Sequence, residues 1–480
     1  MNRKISIPIA ISLVIIFYAI YTMGFTPIFT LDDAYIVQHS VNNITSFKDE
    51  VLFIDSSKNS GLTSLVHVSL VSLLSFLINV NWSQFIIASL SFMAFLVLVF
   101  AYSLKLNKNL FLSFLVTLIA ATSGFIIEQT YNGLETTLLI CAVTGALYLF
   151  RNGYPDDRVS FTLLAIMPFI RPELAVLSFL LFVCSFLDAK ENNKIDEFKK
   201  GFLVLVLSTL LISLYSIVMT GGVFPNTAGA KKYFFAEACQ NNLLKNNFIF
   251  TGIWAFLSSL GLMSIGLIGI LFTRFKFIFL AFTIIFYAVY YIELPGGIHH
   301  NYFRYQYVFY AFAIVGIIEF LALLKNKKVL LAVITIVLIS SLASLNQNLN
   351  QFKNSISFTE NENFTVGEWV KNNINKDDVI MIHDAGFISN VANNKLVDLV
   401  GLKTNTSAEI NKETRWKACG NDPRAIDIIA GTNNAKYFIV LNIWDDIFQL
   451  TNSLRYMGWD VNRVDMSRGD TAYKVYKISK

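Results

Sequence analysis

Long apolar stretches alternate with short polar connections over the first 345 residues of the chain. A helix needs about 20 predominantly apolar residues to cross the hydrocarbon core of a bilayer. Stretches that approach or exceed this length lie at residues 5–25, 62–80, 85–104, 110–127, 136–150, 161–187, 201–220, 248–272, 277–292, 305–324 and 329–345. The pattern predicts a polytopic α-helical membrane protein.

The connections between these stretches are of two kinds. One kind is basic and is predicted to be cytoplasmic by the positive-inside rule. It comprises Lys105 and Lys108, Arg151 and Arg158, residues 190–200, Arg274 and Lys276, and Lys325, Lys327 and Lys328. The other kind is predicted to share the outer side and comprises residues 26–60, 128–135, 221–247, 293–304 and the C-terminal tail.

This sorting constrains two apolar stretches. Residues 62–104 connect an outer segment to an inner one, so they must cross an odd number of times, and part of them is expected to lie along the interface or to re-enter. Residues 161–187 lie between two basic connections and are expected to form a pair of short helices that turns at Arg171-Pro172-Glu173. The expected total is about 11 crossings, with the N-terminus, which carries Arg3 and Lys4, in the cytoplasm and the C-terminus outside.

From residue 346 onward, helical and extended patterns alternate. Apolar runs at residues 379–383, 396–400, 436–441 and 473–478 are typical of short buried strands. Residues 368–373 are expected to end a helix, residues 423–430 to form one with Asp422 as N-cap, and residues 443–457 to form another. We predict a membrane domain at residues 1–345 and a small extracytoplasmic α/β domain at residues 346–480.

Composition supports this division and excludes a soluble protein. Of the 480 residues, 55% are hydrophobic and 15% are charged, and the mean hydropathy is +0.55. The formal net charge is +5, but the tail from Asn350 carries 16 basic and 16 acidic residues, so the excess lies in the membrane part. Such an excess indicates topology and not a nucleic-acid partner. No small-residue cleavage signal follows the first span, which is therefore expected to be retained.

The four cysteines are too few for a disulfide framework. Cys141 and Cys184 fall in predicted spans and are expected to be small core residues. Cys239 and Cys419 both fall on the outer side, where an oxidising compartment would allow a bridge between the loop at 221–247 and the tail.

Two adjacent acids, Asp32 and Asp33, follow the first apolar stretch in the segment TLDDAYIVQHS. A charge at mid-bilayer costs about 2.5 to 3.5 kcal/mol on insertion scales, so these acids are expected in water or beside a polar cavity. Beside a cavity they would be candidates for acid–base catalysis. The alternative is a helix start, because Thr30 and Asp33 have capping-box spacing and acids are favoured in a first turn.

Further polar residues interrupt the apolar pattern on the predicted outer side. Glu135 lies at the start of a predicted span and could be a helix cap or part of a cavity wall. Arg171 and Glu173 interrupt an apolar stretch, so they either have a function or form an ion pair that merely tolerates burial. Asn226 and Lys231 lie in PNTAGAKK, a turn that could bind phosphate or remain solvated.

Beside a later span, Arg304 is either a phosphate ligand or an interfacial anchor. The adjacent His299 and His300 have no third ligand at suitable spacing, so no metal site is predicted.

Carboxylates, cations and aromatic residues at one membrane face suit the transfer of a sugar from a polyprenyl phosphate. Cations would offset the charge of the leaving phosphate, and a carboxylate would remove the proton of the acceptor hydroxyl. The isoprenoid tail of such a donor would also explain the membrane location.

Six motifs that occur in this order resemble the GT-C superfamily of polyprenyl-phosphate-sugar glycosyltransferases. They are TLDDAYI, SGLTS (60–64), YNGLETTL (131–138), RPE (171–173), FPNTAGAKKY (224–233), and HDAGFISN followed by VDLVGL (383–402). Within that superfamily the chain is most similar to the branch with mycobacterial terminal arabinofuranosyltransferases and pilin arabinosyltransferases. The resemblance runs along the whole chain.

The resemblance implies inverting transfer on the extracytoplasmic face, with Asp33 as the expected catalytic base and Asp32 in a supporting role. It places Glu135, Arg171 and Glu173 around the cavity, and it places Asn226, Lys231 and Arg304 near the donor phosphate. It also implies substrate-binding positions at Tyr35, His383 and Asp384, with Asp398 in the same tail motif. No cofactor is required, although some members use a divalent metal.

The expected partners are a polyprenyl-phosphate-linked sugar donor, an extracytoplasmic protein or glycan acceptor, and membrane lipid. Two alternatives stay open: a polymerase or ligase of undecaprenyl-diphosphate-linked glycans, and a membrane transporter. The first usually has its large polar loop between late spans, and the second usually shows inverted repeats with broken helices, for which the sequence gives no matching pair. In relatives a Gly-rich stretch often follows the DDAYI motif, whereas this chain has no glycine between Asp33 and Gly61. Because of this difference, the resemblance does not define the sugar or the acceptor.

Overall fold

The computed structural model describes residues 5–56, 59–152, 158–223, 226–466 and 471–480. Arg3 and Lys4, and the first two residues of FPNTAGAKKY, Phe224 and Pro225, lie outside the described residues. The fold is 74% helical and has a small sheet near the C-terminus.

Helices α1 to α17 build the membrane part and its loops. They are α1 (Ser6–Thr22), α2 (Asp33–Thr45), α3 (Leu65–Ser75), α4 (Val80–Asn107), α5 (Leu110–Thr122), α6 (Ile126–Thr130), α7 (Thr136–Leu149), α8 (Arg158–Ile170), α9 (Leu174–Glu191), α10 (Ile195–Thr220), α11 (Thr227–Phe235), α12 (Asn242–Leu260), α13 (Ile265–Gly269), α14 (Lys276–Glu293), α15 (His300–Phe303), α16 (Val308–Leu323) and α17 (Lys327–Phe358). Within the described residues, six helical segments are long and apolar enough to cross a membrane, and five shorter apolar helices accompany them. The expected 11 crossings stay a prediction.

The expected pair of helices at residues 161–187 is confirmed, whereas the path of residues 62–104 relative to the membrane stays a prediction. Residues 62–104 divide into α3, which has 11 residues and is too short to span a bilayer, and α4, which has 28. Residues 161–187 divide into α8 and α9, and the turn between them lies at Arg171-Pro172-Glu173. At the centre, α16 packs against α4 and α7 and is buried along almost all of its length.

In its described residues the tail contains a five-stranded sheet and six α-helices. The strands are β1 (Val379–Ile382), β2 (Leu396–Asp398), β3 (Ala435–Leu441), β4 (Asp460–Val464) and β5 (Tyr473–Ser479). The helices are α18 (Thr365–Asn373), α19 (Phe387–Val391), α20 (Asn405–Asn411), α21 (Pro423–Thr432), α22 (Asn442–Phe448) and α23 (Leu450–Tyr456). The strand order is β2-β1-β3-β5-β4, with β1 parallel to both of its neighbours and β5 antiparallel to both of its own. The predicted N-cap is confirmed, since the Asp422 carboxylate accepts the Arg424 N–H at 2.9 Å.

The single helix predicted at 443–457 is wrong. Gln449 has a left-handed backbone (φ 50°), and the Asp445 carboxylate accepts the Thr451 N–H at 2.8 Å, which starts α23 as a new helix. Strand β4 was not predicted because it is an edge strand whose residues are mostly exposed, so it lacks an apolar run.

The tail packs closely on loops that the charge pattern predicts to be outside, which are called here the outer loops. The predicted boundary at residue 346 falls inside α17, which continues into the tail region as one helix. The segment after α2 adds to the edge of the sheet, where Leu396 donates its N–H to Leu52 at 2.9 Å and accepts from Ile54 at 3.0 Å. The hydrophobic core of the tail also includes Ile36, Phe53, Ala230 and Phe234 from the outer loops. The tail and these loops therefore form one packed unit.

A buried polar cluster lies at this contact. The Lys403 ammonium is fully buried, donates to Ser40 Oγ at 2.9 Å and lies 3.6 Å from Glu50 Oε2. The same Glu50 oxygen lies 2.8 Å from His39 Nε2. Burial lowers the pKa of Lys403 to about 8. Burial alone would raise the pKa of Glu50, but the His39 hydrogen bond and the Lys403 charge lower it to about 2.

Candidate functional site

Asp33 is the first residue of α2 and lies between two cations. Its Oδ2 is 3.5 Å from Lys231 Nζ and 3.6 Å from Arg304 Nη1. Its side chain is 29% exposed, whereas that of Arg304 is 3% exposed. Burial would raise the pKa of Asp33, but the nearby positive charges, led by Lys231 and Arg304, outweigh it and hold the pKa below its usual range. Asp33 is therefore an ionised carboxylate at neutral pH.

Asp32 is held by the tail and does not share these partners. Its carboxylate accepts the backbone N–H groups of Gly386 at 2.6 Å and Phe387 at 2.8 Å. A Cβ on Gly386 would lie 1.9 Å from the Asp32 carbonyl oxygen, so only glycine permits this close approach. Burial and the nearby Asp384 carboxylate raise the pKa of Asp32 to about 8, although the two N–H donors oppose the rise.

The helix-start alternative is confirmed in part, because α2 begins at Asp33 and this acid lies in its first turn, but no capping box forms, since the Thr30 hydroxyl has no hydrogen-bond partner. Asp32 occupies the N-cap position of α2 and makes no side-chain capping hydrogen bond. The two carboxylates instead have different partners, one from the tail and the other from α11 and the segment before α16. Neighbouring residues point in different directions, and here that divergence separates the environments of the two acids.

Arg171 links the turn between α8 and α9 to the start of α7. Its guanidinium lies 3.4 Å from Glu135 Oε1 and 2.5 Å from Glu173 Oε1, and it covers the Tyr305 ring at 4.5 Å. Its side chain is 2% exposed, yet Nε and Nη1 have no hydrogen-bond partner. Nε and Nη1 of Arg304 are likewise buried without a hydrogen-bond partner, and Nη1 has only the longer ion-pair contact with Asp33 at 3.6 Å. Charged donors are seldom left this way without a ligand, because burying an unpaired donor is costly.

Three cavities meet around these residues. The first, called here the anion cavity, is small, with a volume of about 20 Å³. Its polar lining is Asp33, Thr63, Ser64, His67, Glu135, Thr227, Lys231 and Arg304. Both nitrogens of the buried His67 ring lack a hydrogen-bond partner. The cavity is therefore a dense polar centre bounded by acids and cations.

The second, called the apolar cavity, has a volume of about 330 Å³ between α9, α11 and α14. Phe282, Phe286, Val289 and Val176 line its length, and the ion-pair cluster of Arg171 and Glu173 lies in its polar wall. Thr63, Thr227 and Lys231 line both this cavity and the anion cavity, so the two adjoin. An amphiphile with an apolar chain and an anionic head matches this pair of cavities.

The third, called the interface cavity, has a volume of about 240 Å³ between the first outer loop and the tail. It lies at the carboxyl ends of β1 and β3, the side of a parallel sheet at which ligands usually bind. Its tail wall includes His383, Asp384, Trp444 and Tyr473, and Asp32, Asp33 and Lys231 face them. Asp33 and Lys231 thus belong to both the interface cavity and the anion cavity.

The polar groups of this wall are partly engaged with one another. The Asp384 carboxylate accepts the Tyr473 hydroxyl at 2.7 Å and lies 3.0 Å from His383 Nδ1. His383 Nε2 and Asn363 Oδ1 are buried, line the same cavity and have no hydrogen-bond partner. The wall can therefore bind further hydroxyl groups.

The structure brings most of the sequence-predicted site residues to these cavities. Glu135, Arg171, Glu173, Lys231, Arg304, His383 and Asp384 line them together with the two acids. Tyr35 and Asn226 are not among the lining residues of the three described cavities. The Tyr35 hydroxyl contacts the backbone of Phe29, and Asn226 bridges Gly61 N–H and the Leu402 carbonyl.

Four residues that line a cavity were not predicted from the sequence to belong to the site: Thr63, His67, Tyr290 and His300. Thr63 lies in the SGLTS motif, and this motif is the sequence signal that could have indicated it as a site residue.

Asp398 is fully buried and accepts the backbone N–H groups of Val400 and Lys403, so it shapes the loop after β2.

The residues do not fit a divalent metal. Asp33 already has two cations as neighbours, and Asp32 is bound by backbone N–H groups. Among the described residues no group of three His, Cys, Asp or Glu side chains is placed to hold a metal ion.

These features define a polytopic membrane protein whose outer loops and C-terminal α/β tail enclose a charged centre next to an apolar cavity. The fold is similar to two crystal structures of ArnT from Cupriavidus metallidurans. The structure bound to undecaprenyl phosphate has a TM-score of 0.53 at 9% identity and covers 98% of this chain and 97% of that one. The apo structure has a TM-score of 0.53 at 11% identity and covers 98% and 96%.

The other comparisons are sparse. Residues 350–476 match a family described as a domain of unknown function (DUF8728). No curated protein matches the chain at a significant level. The structural likeness shows an ArnT-like membrane fold, while the GT-C superfamily and its arabinosyltransferase branch stay predictions.

Proposed function

We propose that the protein is a membrane glycosyltransferase that transfers a sugar from a polyprenyl-phosphate donor to an extracytoplasmic acceptor. One observation carries this proposal: Arg171 at the apolar cavity and Arg304 at the adjoining anion cavity have buried guanidinium nitrogens without a hydrogen-bond partner. Such donors suit phosphate, which a guanidinium can bind through two parallel hydrogen bonds. The adjoining apolar cavity suits a prenyl chain. The undecaprenyl phosphate in the similar ArnT structure has both of these parts.

Asp33 is the proposed general base. An acceptor hydroxyl in the interface cavity would lose its proton to Asp33 while its oxygen attacks the anomeric carbon of the donor. The bond between that carbon and the phosphate oxygen breaks in the same step, which inverts the configuration. Polyprenyl phosphate leaves as an anion, and Lys231 and Arg304 offset its charge.

The ion pairs of Asp33 suggest how donor binding prepares the base. Lys231 and Arg304 lie 3.5 and 3.6 Å from Asp33, beyond normal hydrogen-bond length. A donor phosphate at the junction of the apolar and anion cavities, where Lys231 lines both, would attract both cations and weaken their hold on Asp33. The pKa of Asp33 would then rise from its lowered value, so its carboxylate becomes a stronger base only when the donor is bound.

Asp32 has a positioning role in this mechanism. Its two hydrogen bonds from the Gly386–Phe387 backbone attach the tail next to Asp33. The acceptor would lie between this attachment and the His383–Asp384 wall. Glu135 and Glu173 hold Arg171 in place, while Tyr35 and Asn226 position the loops that carry the site.

The finer assignment follows the sequence resemblance. We propose a multi-pass protein of the bacterial cytoplasmic membrane with about 11 crossings, a cytoplasmic N-terminus and an extracytoplasmic tail. Arabinofuranose is the proposed sugar, and the acceptor is a protein such as pilin or a glycan. No cofactor is proposed.

The first test measures binding of undecaprenyl phosphate, the lipid phosphate that the sugar donor contains and that the reaction releases, without an acceptor. Purified protein in detergent is incubated with undecaprenyl phosphate, and the retained lipid is measured by native mass spectrometry. We expect Lys231→Gln and Arg304→Gln to weaken retention at least tenfold. Lys436→Gln serves as the control, because that lysine is 61% exposed and pairs with Asp378 on the tail surface. Equal retention by all four proteins would refute the assignment of the anion cavity.

The second test measures transfer. Membranes that contain the wild type are given radiolabelled polyprenyl-phosphate and polyprenyl-diphosphate sugars as donors. Transfer from a monophosphate donor supports the proposal, whereas use of diphosphate-linked chains alone would replace it with the polymerase or ligase alternative.

A further inference from the structure

Two of the four cysteines lie outside the helices of the membrane interior and meet at the contact between α11 and the tail. Cys239 follows α11 in a short 3₁₀ turn, and Cys419 ends the helical segment after α20. Cys239 Sγ and the Cys419 N–H both donate to the Trp416 carbonyl, at 3.6 and 3.2 Å. The Gln240 side chain also hydrogen-bonds to the Cys419 carbonyl.

Cys239 and Cys419 thus share the Trp416 carbonyl as an acceptor, and the residue after Cys239 binds the Cys419 backbone, although the two cysteines are far apart in the sequence. The remaining cysteines, Cys141 and Cys184, lie in α7 and α9. All four are thiols in the structure. If Cys239 and Cys419 were only small filler residues, nothing would require them to meet across two separate parts of the chain.

We propose that Cys239 and Cys419 form a disulfide in the mature protein. The bond forms by two thiol–disulfide exchanges with a protein dithiol oxidase of the extracytoplasmic compartment. Cys239 and Cys419 lose two protons and two electrons, one S–S bond forms between them, and the disulfide of the oxidase is reduced to two thiols. Both cysteines lie on the side of the molecule that contains the tail, so one compartment can oxidise both.

The local chemistry favours catalysed oxidation. Burial, reinforced by the neighbouring Cys419 thiol, raises the pKa of Cys239 to about 11. The thiolate is the attacking species, so a raised pKa makes spontaneous exchange slow. A dithiol oxidase overcomes this barrier, whereas a small disulfide such as oxidised glutathione would act slowly.

The bridge would fix two elements of the site relative to each other. The helix α11 carries Lys231, and the tail carries the Gly386 backbone that binds Asp32. A covalent link between them closes a loop over residues 239–419. Closing so long a loop restricts the unfolded chain strongly and so stabilises the folded arrangement.

The experiment follows the bond itself and does not depend on sugar transfer. Cells that express the full chain are quenched with N-ethylmaleimide, and the protein is purified without reductant and digested. We expect a cross-linked peptide that contains Cys239 and Cys419 and disappears on reduction. Full alkylation of both cysteines in the unreduced protein, or a bridge to another cysteine, would overturn the proposal.

A second measurement tests the stabilising effect. Reductant is expected to lower the melting temperature of the wild type and of the Cys184→Ser control by several degrees. The double variant Cys239→Ser/Cys419→Ser should melt at the reduced wild-type temperature with or without reductant. If reductant shifts the double variant as much as the wild type, the shift does not come from this bond. Loss of donor binding with the bridge intact would count against the proposed function alone.

Discussion

Replacement of Asp33 by asparagine should separate catalysis from donor binding. The asparagine side chain is nearly isosteric with the native one but cannot accept a proton at neutral pH. General-base catalysis is typically worth 10² to 10⁴-fold, which corresponds to a barrier increase of about 2.7 to 5.5 kcal/mol. We therefore expect kcat to fall by that factor.

The same replacement should not lower the affinity for the lipid phosphate of the donor. Asp33 lies 3.5 Å from the Lys231 ammonium and 3.6 Å from the Arg304 guanidinium. At an effective dielectric constant of about 20, each pair is worth roughly 4 to 5 kcal/mol before the cost of desolvation. Only part of this survives, because the Asp33 side chain is 29% exposed. Removing the negative charge frees both cations for phosphate, so the Kd for undecaprenyl phosphate should stay equal or decrease.

The assay combines single-turnover transfer from the active donor with undecaprenyl phosphate binding, at matched protein amounts. Asp377→Asn is the matched control, because Asp377 is an exposed acid on the tail surface. Asp33→Asn should lose transfer and keep binding, and the control should keep both. Normal transfer by Asp33→Asn together with an inactive Asp32→Asn would refute the assignment of the base.

Three further outcomes follow from single contacts. Gly386→Ala should reduce transfer at least tenfold, because the added Cβ would lie 1.9 Å from the Asp32 carbonyl, whereas Gly431→Ala, with its nearest contact at 3.9 Å, should not. The lowered pKa of Glu50, about 2, stabilises the fold above pH 4.5, and this contribution of about 3 kcal/mol is lost as the pH falls from 4.5 through 2. Melting temperatures measured over that range should therefore fall more steeply for the wild type than for Glu50→Gln, in which the other acids still titrate. Arg171→Lys should raise the KM for the donor more than it lowers kcat, because lysine cannot pair two acids and stack on a tyrosine ring at once; an unchanged KM would contradict this assignment.

The overall architecture could be predicted because it follows from simple patterns. The lengths of the apolar stretches predicted the helices of the membrane part. The positive-inside rule indicated that residues 62–104 do not form two full spans. The structure places the short α3 and the long α4 there. Short apolar runs likewise predicted four strands of the tail, while the exposed edge strand β4 has no such pattern. The helix break at Gln449 accompanies a hydrogen bond from the Thr451 N–H to the Asp445 carboxylate. A contact of this kind leaves no trace in the periodicity of apolar residues.

The site was predicted in part because its residue types are unusual for their surroundings. Charged residues next to or within apolar stretches drew attention to Asp33, Arg171 and Arg304, and the structure brings them to adjoining cavities. Two things could not be derived from spacing alone. One is the separation of Asp32 from Asp33, which depends on a backbone contact with Gly386, distant in sequence by 354 positions. The other is the contribution of His67, which lies on the apolar helix α3 and resembles a core histidine in sequence.

The position of the tail explains why two adjacent acids are needed at the start of α2. An isolated carboxylate between Lys231 and Arg304 would be fixed on one side only, since both cations belong to the membrane part and its loops. Asp32 anchors the same turn from the other side through two backbone N–H groups of the tail. Ile36 and Phe53, which follow in the same outer segment, complete the core of the tail sheet. The position of Asp33 is therefore set jointly by the membrane helices and by the tail, and a change in tail docking should affect catalysis even where no tail residue touches the donor.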